Sequence, residues 1–147
     1  MTLEGDYEPS PTDYVRAQVE EYEASGGTRM NADPDGRPIV ILTSRGAQSG
    51  KLRKNPVMRV NHEGQYAVVA SLAGAPENPQ WFHNLVSDPR VSLQDGAERR
   101  EYEARRVTGQ EREAWWQRAV AAYPTYADYQ TNTTREIPIF VLEPRSS

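Results

Sequence analysis

Apolar residues near the start of the chain recur with the spacing of a helix. Val15, Val19 and Tyr22 fall on one helical face, and charged residues occupy the opposite face. Ser10 can cap the start of this helix, and the Gly26–Gly27 pair is typical of a helix end. We therefore predict a helix that packs across the domain. The alternative is contact with a membrane surface, although interfacial helices usually present Lys and Arg rather than acidic residues.

From position 38 onward the apolar positions change to the short runs and alternation of strands. Six segments have this pattern: 38–43, 56–60, 65–71, 91–93, 101–107 and 137–142. Asn61–Gly64 and Asp95–Gly96 are typical of turns between neighbouring strands. Pro138 cannot donate a hydrogen bond to a neighbouring strand, so we expect the last strand to begin at a sheet edge.

Two further helices are predicted between these strands. Asn78–Pro79 opens a short helix that stops near Asp88, and Thr108–Glu111 has the pattern of a capping box that starts a longer helix. Pro124 ends that helix, and residues 125–130 can form one more helical turn. Short strands joined mainly by hairpins predict an α+β, mainly β fold. We expect an antiparallel sheet of about six strands, curled into a small barrel with flanking helices.

Composition narrows the class of protein to a cytoplasmic enzyme or binding protein. The 147 residues suffice for one core-forming domain, which we place at 37–147 behind an N-terminal helix and linker at 1–36. The lack of cysteine excludes disulfides and thiolate chemistry, and two distant histidines do not predict a metal site. A net charge of -4 disfavours nonspecific nucleic-acid binding. No apolar run approaches the roughly 18 residues of a membrane span, and the acidic N-terminus is unlike a signal peptide.

One window of this acidic chain contains only basic charges. Between Gly36 and His62 there is no acidic residue, and a loop with Gly and Ser joins two apolar runs. Five of its cations lie on one short segment: Arg45, Lys51, Arg53, Lys54 and Arg59. Loop N–H groups, hydroxyls and guanidinium groups suit phosphate or carboxylate, so the window predicts an anion site. The alternative is a charged loop that simply faces water.

Polar aromatic residues form a second unusual cluster. Tyr123, Tyr126 and Tyr129 are spaced three apart and share a face if the segment is helical. Tyrosine offers a flat apolar wall and a hydroxyl donor, which favours a role in a pocket over simple core packing. Ser71 ends a predicted strand, where its hydroxyl could bind a ligand, although no G-x-S-x-G surrounds it. Trp81 is expected in the core.

Taken together, these segments resemble the deazaflavin-dependent nitroreductase family. That family has a split β-barrel fold related to the flavin-binding, pyridoxamine-oxidase-like proteins. In chain order, the motifs that carry the resemblance are Leu42–Gly50, Arg53–Pro56, Ala70–Ser71, Asn78–Leu85, Tyr123–Gln130 and Ile137–Ile139. The resemblance implies coenzyme F-420, an 8-hydroxy-5-deazaflavin with a ribityl phosphate and a polyglutamate tail, and no metal.

The resemblance also implies which residues hold the coenzyme. The phosphate and tail are expected to meet Ala47, Gln48, Ser49, Arg53 and Lys54. The ring is expected to lie beside Asn55, Pro56, Val57, Met58, Val69, Ala70, Ser71 and Leu72, with Gln80, Trp81 and Asn84 closing the short-helix side. The catalytic group is expected to be Tyr126, which also contacts the ring, with Ser71, Tyr123 and Tyr129 nearby.

Three positions depart from the nitroimidazole-activating member of that family. That member has lysine where Gln48 and Leu72 stand here, and tyrosine where Met58 stands. We expect a weaker grip on the phosphate or tail, offset by Lys51 or Lys54, and a different range of substrates.

The implied activity is hydride transfer from reduced coenzyme F-420 to quinones, nitroaromatics or activated enones. The resemblance further implies a cytoplasmic homodimer and a separate dehydrogenase that re-reduces the coenzyme. Three alternatives stay open at this point. They are an FMN- or biliverdin-type split-barrel reductase, a deazaflavin carrier without turnover, and a membrane-surface tether led by the N-terminal helix.

Overall fold

The computed structural model describes residues 3–145 and contains helices on both sides of a curled sheet. The helices are α1 (Asp13–Ala24), α2 (Gln80–Ser87), α3 (Gly109–Ala122) and α4 (Thr125–Thr131), with a short 3-10 turn at Leu72–Gly74. The strands are β1 (Ile39–Arg45), β2 (Leu52–Met58), β3 (Val60–His62), β4 (Gln65–Val69), β5 (Arg90–Asp95), β6 (Glu98–Arg106) and β7 (Ile139–Pro144).

All seven strands belong to one antiparallel sheet in the order β2-β1-β5-β6-β7-β4-β3. The sheet curls until β2 approaches β4, which gives the half-closed barrel that the sequence predicts. The strand count is seven rather than about six because residues 56–60 divide between β2 and β3. β2 begins at Leu52, before the predicted start at residue 56, because its backbone pairs with all of β1. This pairing does not depend on the charge of its side chains.

The two faces of the sheet bury separate apolar clusters. Inside the barrel, strand residues such as Leu42 and Leu142 pack with Trp81 and Leu85 of α2. On the other face α3 and α4 cover β4 and β7, and Trp115 is buried there. Burial of each large apolar side chain contributes about 1.5–3 kcal/mol, so both helical layers are firmly attached to the sheet.

Helix α1 packs across the sheet as the apolar spacing predicts. Tyr22 and Val19 bury against Ile41 of β1. The Tyr22 hydroxyl donates to the Ile39 carbonyl at 3.1 Å and accepts from the Gly96 N–H at 2.9 Å. The chain leaves α1 close to the β5–β6 turn, where a Cβ on Gly27 would meet the Gly96 carbonyl oxygen at 2.3 Å. The division of the chain at residue 36 stays a prediction.

Two expectations about local structure are wrong. The Thr108 side chain makes no capping hydrogen bond to α3, and Glu111 instead accepts from Arg105 of β6 at 2.8 Å. The last strand, β7, lies between β6 and β4 rather than at an edge. Pro138 is tolerated there because it precedes the strand, where its carbonyl still accepts from the Ala70 N–H at 2.9 Å. No helix within residues 3–145 has both the length and the apolar character needed to cross a bilayer.

Candidate active site

An apolar cavity of about 300 Å³ opens between β2, the end of β4, α2 and α4. We call it the tyrosine cavity. Its wall includes ten residues that the sequence analysis places in the site: Pro56, Val57, Met58, Val69, Ser71, Leu72, Trp81, Tyr123, Tyr126 and Tyr129. Four residues that the sequence did not suggest complete the wall: Gln18, Ile39, Ala73 and Pro79. Gln18 belongs to α1, so the N-terminal helix contributes to the cavity as well as to the fold.

The tyrosine wall is built by Tyr123, which ends α3, and by α4, which starts directly after Pro124. Tyr126 is 4% exposed, and its ring meets the edge of Tyr123 with centroids 4.9 Å apart. The hydroxyls of Tyr123 and Tyr129 lie 3.3 Å apart and share a hydrogen bond. Trp81, on α2, is 6% exposed. The three tyrosines therefore form one packed aromatic surface, as their spacing predicts.

The hydroxyls of Tyr126 and Tyr129 are held in their protonated form. Burial raises the pKa of Tyr126 well above its ordinary value, with smaller contributions from Tyr123 and Tyr129. The hydrogen bond from Tyr123 and partial burial raise the pKa of Tyr129 to about 12. The Tyr126 hydroxyl bonds to no other group within residues 3–145. The Tyr126 ring is buried, but its hydroxyl oxygen opens onto the tyrosine cavity, so this hydroxyl is available to a ligand there.

The segment after β4 forms the rim of the tyrosine cavity in an uncommon backbone conformation. Leu72 and Ala73 have φ of 44° and 54°, a region that non-glycine residues rarely adopt. Gly74 follows at φ 80°, and a Cβ there would meet the Tyr129 carbonyl oxygen at 2.8 Å. The rim therefore packs directly on α4, and its conformation must be stabilised by neighbouring groups.

Arg135 supplies that stabilisation, and the sequence offered no signal for it. Its guanidinium donates to the carbonyls of Ala70, Ser71 and Ala75 at 3.1, 2.8 and 2.9 Å. It also donates to Asn78 Oδ1 at 2.8 Å. One side chain thus fixes both ends of the rim. An isolated arginine in a polar stretch has no periodicity or motif that would reveal this role.

The Arg135 segment is itself attached to α4. Gln130 Nε2 donates to the Arg135 carbonyl at 2.8 Å, and Gln130 Oε1 accepts from the Ile137 N–H at 3.1 Å. The rim and the tyrosine wall are therefore connected through a single hydrogen-bonded group.

A second cavity, of about 360 Å³, lies beside the turn between β1 and β2. We call it the polar cavity. Its wall consists of Glu8, Gly46, Ala47, Gln48, Ser49, Arg53, Gln80 and Asn84. All except Glu8 and Gly46 were predicted to contact the coenzyme. The two cavities adjoin, because β2 gives Arg53 to one and Pro56 to the other, while α2 gives Gln80 to one and Trp81 to the other.

The turn that lines the polar cavity is anchored to α2 by Asn84. Asn84 is 1% exposed, accepts from the Ala47 N–H at 3.0 Å, and donates to Ser44 Oγ at 3.3 Å. A Cβ on Gly46 would lie 2.7 Å from Ser49 Oγ, so glycine permits the tight turn. Asn84 thus positions the turn as well as lining the cavity.

Tertiary contacts neutralise most of the cations that the sequence places together. Arg45 pairs with Asp88 at 3.4 Å, Lys54 with Glu23 at 2.6 Å, and Arg59 with Asp95 at 3.4 Å. Arg53 pairs with Glu8 at 3.3 Å, and Lys51 is exposed. The acidic partners come from outside the 36–62 window, which is why the sequence suggested a free cationic cluster.

Three predicted coenzyme contacts lie outside both cavity walls. The Lys54 side chain turns to α1, where its ammonium also lies 4.6 Å from the Tyr7 ring centroid. Asn55 lies within β2, opposite Leu42 of β1. Ala70 is fully buried in the barrel interior. No cluster of metal-ligating side chains occurs in the part of the chain that the structure describes.

The sequence model of one family, described as F420H(2)-dependent quinone reductase, matches residues 14–144. The chain belongs to this family. A Mycobacterium tuberculosis protein provisionally named as such a reductase is 37% identical over 108 residues, which is 74% of this chain and 91% of the relative. The predicted oxidoreductase class and the predicted coenzyme are therefore confirmed at the level of the family.

Solved structures agree with this membership. An F420-H2 dependent reductase, FDR-A, is 52% identical with a TM-score of 0.69, over 73% of this chain and 95% of that one. Another structure, described as a domain-swapped dimer, is 48% identical with a TM-score of 0.73, over 91% and 100% of the two chains. A pyridoxamine 5'-phosphate oxidase-like protein from Listeria innocua, 10% identical over 74% of this chain and 84% of its own, shares the fold with a TM-score of 0.53. The split-barrel prediction is confirmed.

Proposed function

We propose that this protein reduces quinones with reduced coenzyme F-420, and that the two adjoining cavities hold the two ends of that coenzyme. The main support for the proposal is the contrast between the two cavities. One cavity is apolar and aromatic, with a hydroxyl that has no partner within residues 3–145, and the other is polar, with the Arg53 guanidinium and the Ser49 hydroxyl. A coenzyme with a flat ring at one end and an anionic tail at the other requires such a pair of surfaces.

In this proposal the tyrosine cavity holds the ring. When bound, the reduced coenzyme supplies the hydride. Trp81 and Pro56 offer flat apolar contacts to the ring, and Met58 closes the strand side. Burial of these side chains excludes water and lowers the local dielectric, which strengthens each hydrogen bond made inside.

Tyr126 has the role of hydrogen-bond donor to the acceptor. Its ring is buried, and its hydroxyl is protonated, open to the cavity and without a partner among the described residues. A donor held in place before the reaction stabilises negative charge as it develops on a quinone or nitro oxygen. Ser71, 8% exposed at the end of β4, also lines the cavity and offers a second hydroxyl. Tyr123 and Tyr129 hold the Tyr126 ring by packing, and the proton comes from a tyrosine or from water.

In the same proposal the polar cavity holds the phosphate and tail. The Arg53 guanidinium and the Ser49 hydroxyl line the cavity beside the turn that contains Ala47 and Gln48. Guanidinium groups and turn N–H groups are common ligands of phosphate and carboxylate.

Nitroaromatics and activated enones are included in the proposal as hydride acceptors, because each presents an oxygen to the Tyr126 hydroxyl.

The proposal also includes a cytoplasmic homodimer served by a separate dehydrogenase. The homodimer is supported by the 48% identical structure described as a domain-swapped dimer. Sedimentation at two protein concentrations tests it, and a monomer at both would contradict it.

Binding and turnover test the proposal in one preparation. Anaerobic titration of tryptophan fluorescence with coenzyme F-420, FMN and NADPH should show the tightest binding for coenzyme F-420, and Trp81→Phe should remove most of the signal. Steady-state oxidation of the reduced coenzyme by a soluble benzoquinone should follow. Preferential FMN binding would favour a flavin reductase, and tight coenzyme binding without turnover of any quinone or nitroarene would favour a carrier.

A further inference from the structure

We propose that Glu8 is a tethered competitor for Arg53, and that it sets both the affinity and the charge preference of the polar cavity. An anionic ligand must displace the Glu8 carboxylate from the guanidinium before it can bind there. The inference rests on the proposed assignment of the polar cavity to the coenzyme tail, and it adds a determinant that the N-terminal segment supplies.

The tether is the backbone on either side of Glu8. The Leu52 N–H donates to the Asp6 carbonyl at 2.7 Å, and the Glu8 N–H donates to the Leu52 carbonyl at 2.9 Å. Tyr7 lies between them in a parallel bridge with Leu52. The segment is therefore fixed along the edge of β2, one residue away from Arg53. The position of the carboxylate is a consequence of this pairing rather than of a free terminus.

The charges of the polar cavity cancel in this arrangement. Within residues 3–145, Arg53 is the one cation and Glu8 the one anion that line it. Their closest atoms, Arg53 Nη1 and Glu8 Oε1, lie 3.3 Å apart, with side chains 30% and 42% exposed. The remaining wall is neutral, with Ser49, Gln48, Gln80 and Asn84 providing polar groups. The guanidinium that the proposed ligand needs is thus already occupied by an internal carboxylate.

Two properties follow from this geometry. The Glu8 carboxylate is already partly exposed, so water solvates it easily when a ligand displaces it from Arg53. The displacement therefore costs little free energy, and the cavity remains accessible to ligands. The displaced carboxylate still lies at the cavity wall, because its backbone is held by Leu52. It then repels further negative charge, so the site favours a ligand that brings one anionic group to Arg53 over a ligand that brings several.

The central test compares Glu8→Gln with Glu4→Gln in anaerobic titrations of coenzyme F-420 followed by tryptophan fluorescence. Glu4 is exposed in the same segment and does not line the polar cavity, so its variant makes the same change in net charge. We expect Glu8→Gln to tighten binding by about two- to fivefold at low ionic strength, the scale of an exposed ion pair. The gain should shrink at high salt, because exposed charges are screened. Glu4→Gln should match the wild type.

A double-variant cycle tests whether Glu8 acts through Arg53. Adding Glu8→Gln to an Arg53→Gln protein should increase the affinity for the coenzyme by less than half as much as it does when Arg53 is present. Inorganic pyrophosphate should compete with the coenzyme more strongly in Glu8→Gln than in the wild type.

Three results would overturn the inference: equal affinity of Glu8→Gln and wild type, an equal gain from Glu4→Gln, or a gain that does not depend on Arg53. Each of these leaves wild-type coenzyme binding intact. If instead the wild type itself does not bind coenzyme F-420, the proposed function fails and the competitor role fails with it.

Discussion

The tyrosine cavity and the polar cavity adjoin on the same strand and helix, yet their walls are held in different ways. Packing holds the aromatic wall of the tyrosine cavity, where Tyr126 and Trp81 are almost fully buried, and neutral acceptors bonded to Arg135 hold its rim. Ion pairs and turn hydrogen bonds hold the polar cavity, and its charged group is already paired with Glu8.

The two ends of a ligand would therefore be bound by different means. In the tyrosine cavity a ligand gains a hydrogen bond that the protein by itself does not make, at little cost in rearrangement. In the polar cavity a ligand exchanges one ion pair for another, so the net gain is small. The tyrosine cavity should therefore govern turnover, and the polar cavity should adjust affinity.

The largest effect is expected from Tyr126→Phe. Removing the donor should lower kcat for quinone reduction about a hundredfold, or about 3 kcal/mol, while the dissociation constant of the coenzyme changes by less than about threefold. Steady-state and binding measurements on one preparation check this. Tyr102→Phe is the matched control, because Tyr102 is equally buried but outside the tyrosine cavity. An equal loss in both variants would show a packing effect.

Arg135→Ala should have the next largest effect. The variant leaves three carbonyls and Asn78 without their donor and releases the rim at Leu72 and Ala73. We expect about 2 kcal/mol of lost stability in urea unfolding, together with weaker coenzyme binding.

Arg135→Lys tests whether the rim is held by the planar, multidentate guanidinium or by the positive charge alone. A lysine ammonium cannot reach the same set of acceptors, so it should restore less than half of the loss. The exposed Arg99 offers an Arg→Ala control, which should leave stability within about 0.5 kcal/mol of the wild type. Full recovery by lysine would mean that charge alone holds the rim.

Arg53→Gln should affect the polar cavity alone. We expect the dissociation constant of the coenzyme to rise about fivefold, with kcat unchanged at saturating coenzyme. The effect stays moderate because in the wild type the ligand must displace Glu8 to reach Arg53, so the variant loses only the net gain of that exchange. Lys51→Gln is the control, since Lys51 is exposed and does not line the polar cavity. A fall in kcat for Arg53→Gln would contradict the division of roles between the cavities.

Asp88→Asn should have the smallest effect and a pH signature. Hydrogen bonds from Arg90, with a further contribution from Arg45, lower the pKa of Asp88 to about 2. Because the pKa is lower in the folded state, the ionised carboxylate stabilises the fold above its ordinary pKa of 3.8. That stabilisation is lost as the pH falls towards 2. We expect this stabilisation to be about 1 kcal/mol, because the ion pairs of Asp88 with Arg90 and Arg45 are partly solvated.

Urea unfolding between pH 6 and pH 2 measures this contribution. Asp88→Asn should be less stable at pH 6, and the difference from the wild type should vanish near pH 2. Glu113→Gln, at an exposed position of α3, is the control. A difference that persists at pH 2 would assign the effect to lost packing rather than to charge.

Sequence patterns anticipated most of the fold, because each element carries a local signal. The spacing of Val19 and Tyr22 predicted α1, and the apolar run at 38–43 predicted β1. The start of β2 was missed because Arg53 and Lys54 do not look like strand residues, and only pairing with β1 places them in the sheet. The resemblance to a known family located most residues of both cavity walls. It gave no sign of Gln18 or Glu8, because both come from the N-terminal segment.

The order of the residues is enough to identify the class of protein: a split barrel with a cluster of tyrosines, a glycine-containing turn and no cysteine. Which charges are free and which backbone is stabilised is visible only in the folded chain. Glu8, Glu23, Asp88 and Asp95 reach the basic window from other elements, and Arg135 reaches across to the rim. This difference arises because helix and strand propensities act over a few residues. Ion pairs and hydrogen bonds depend instead on the distance between side chains that the fold brings together.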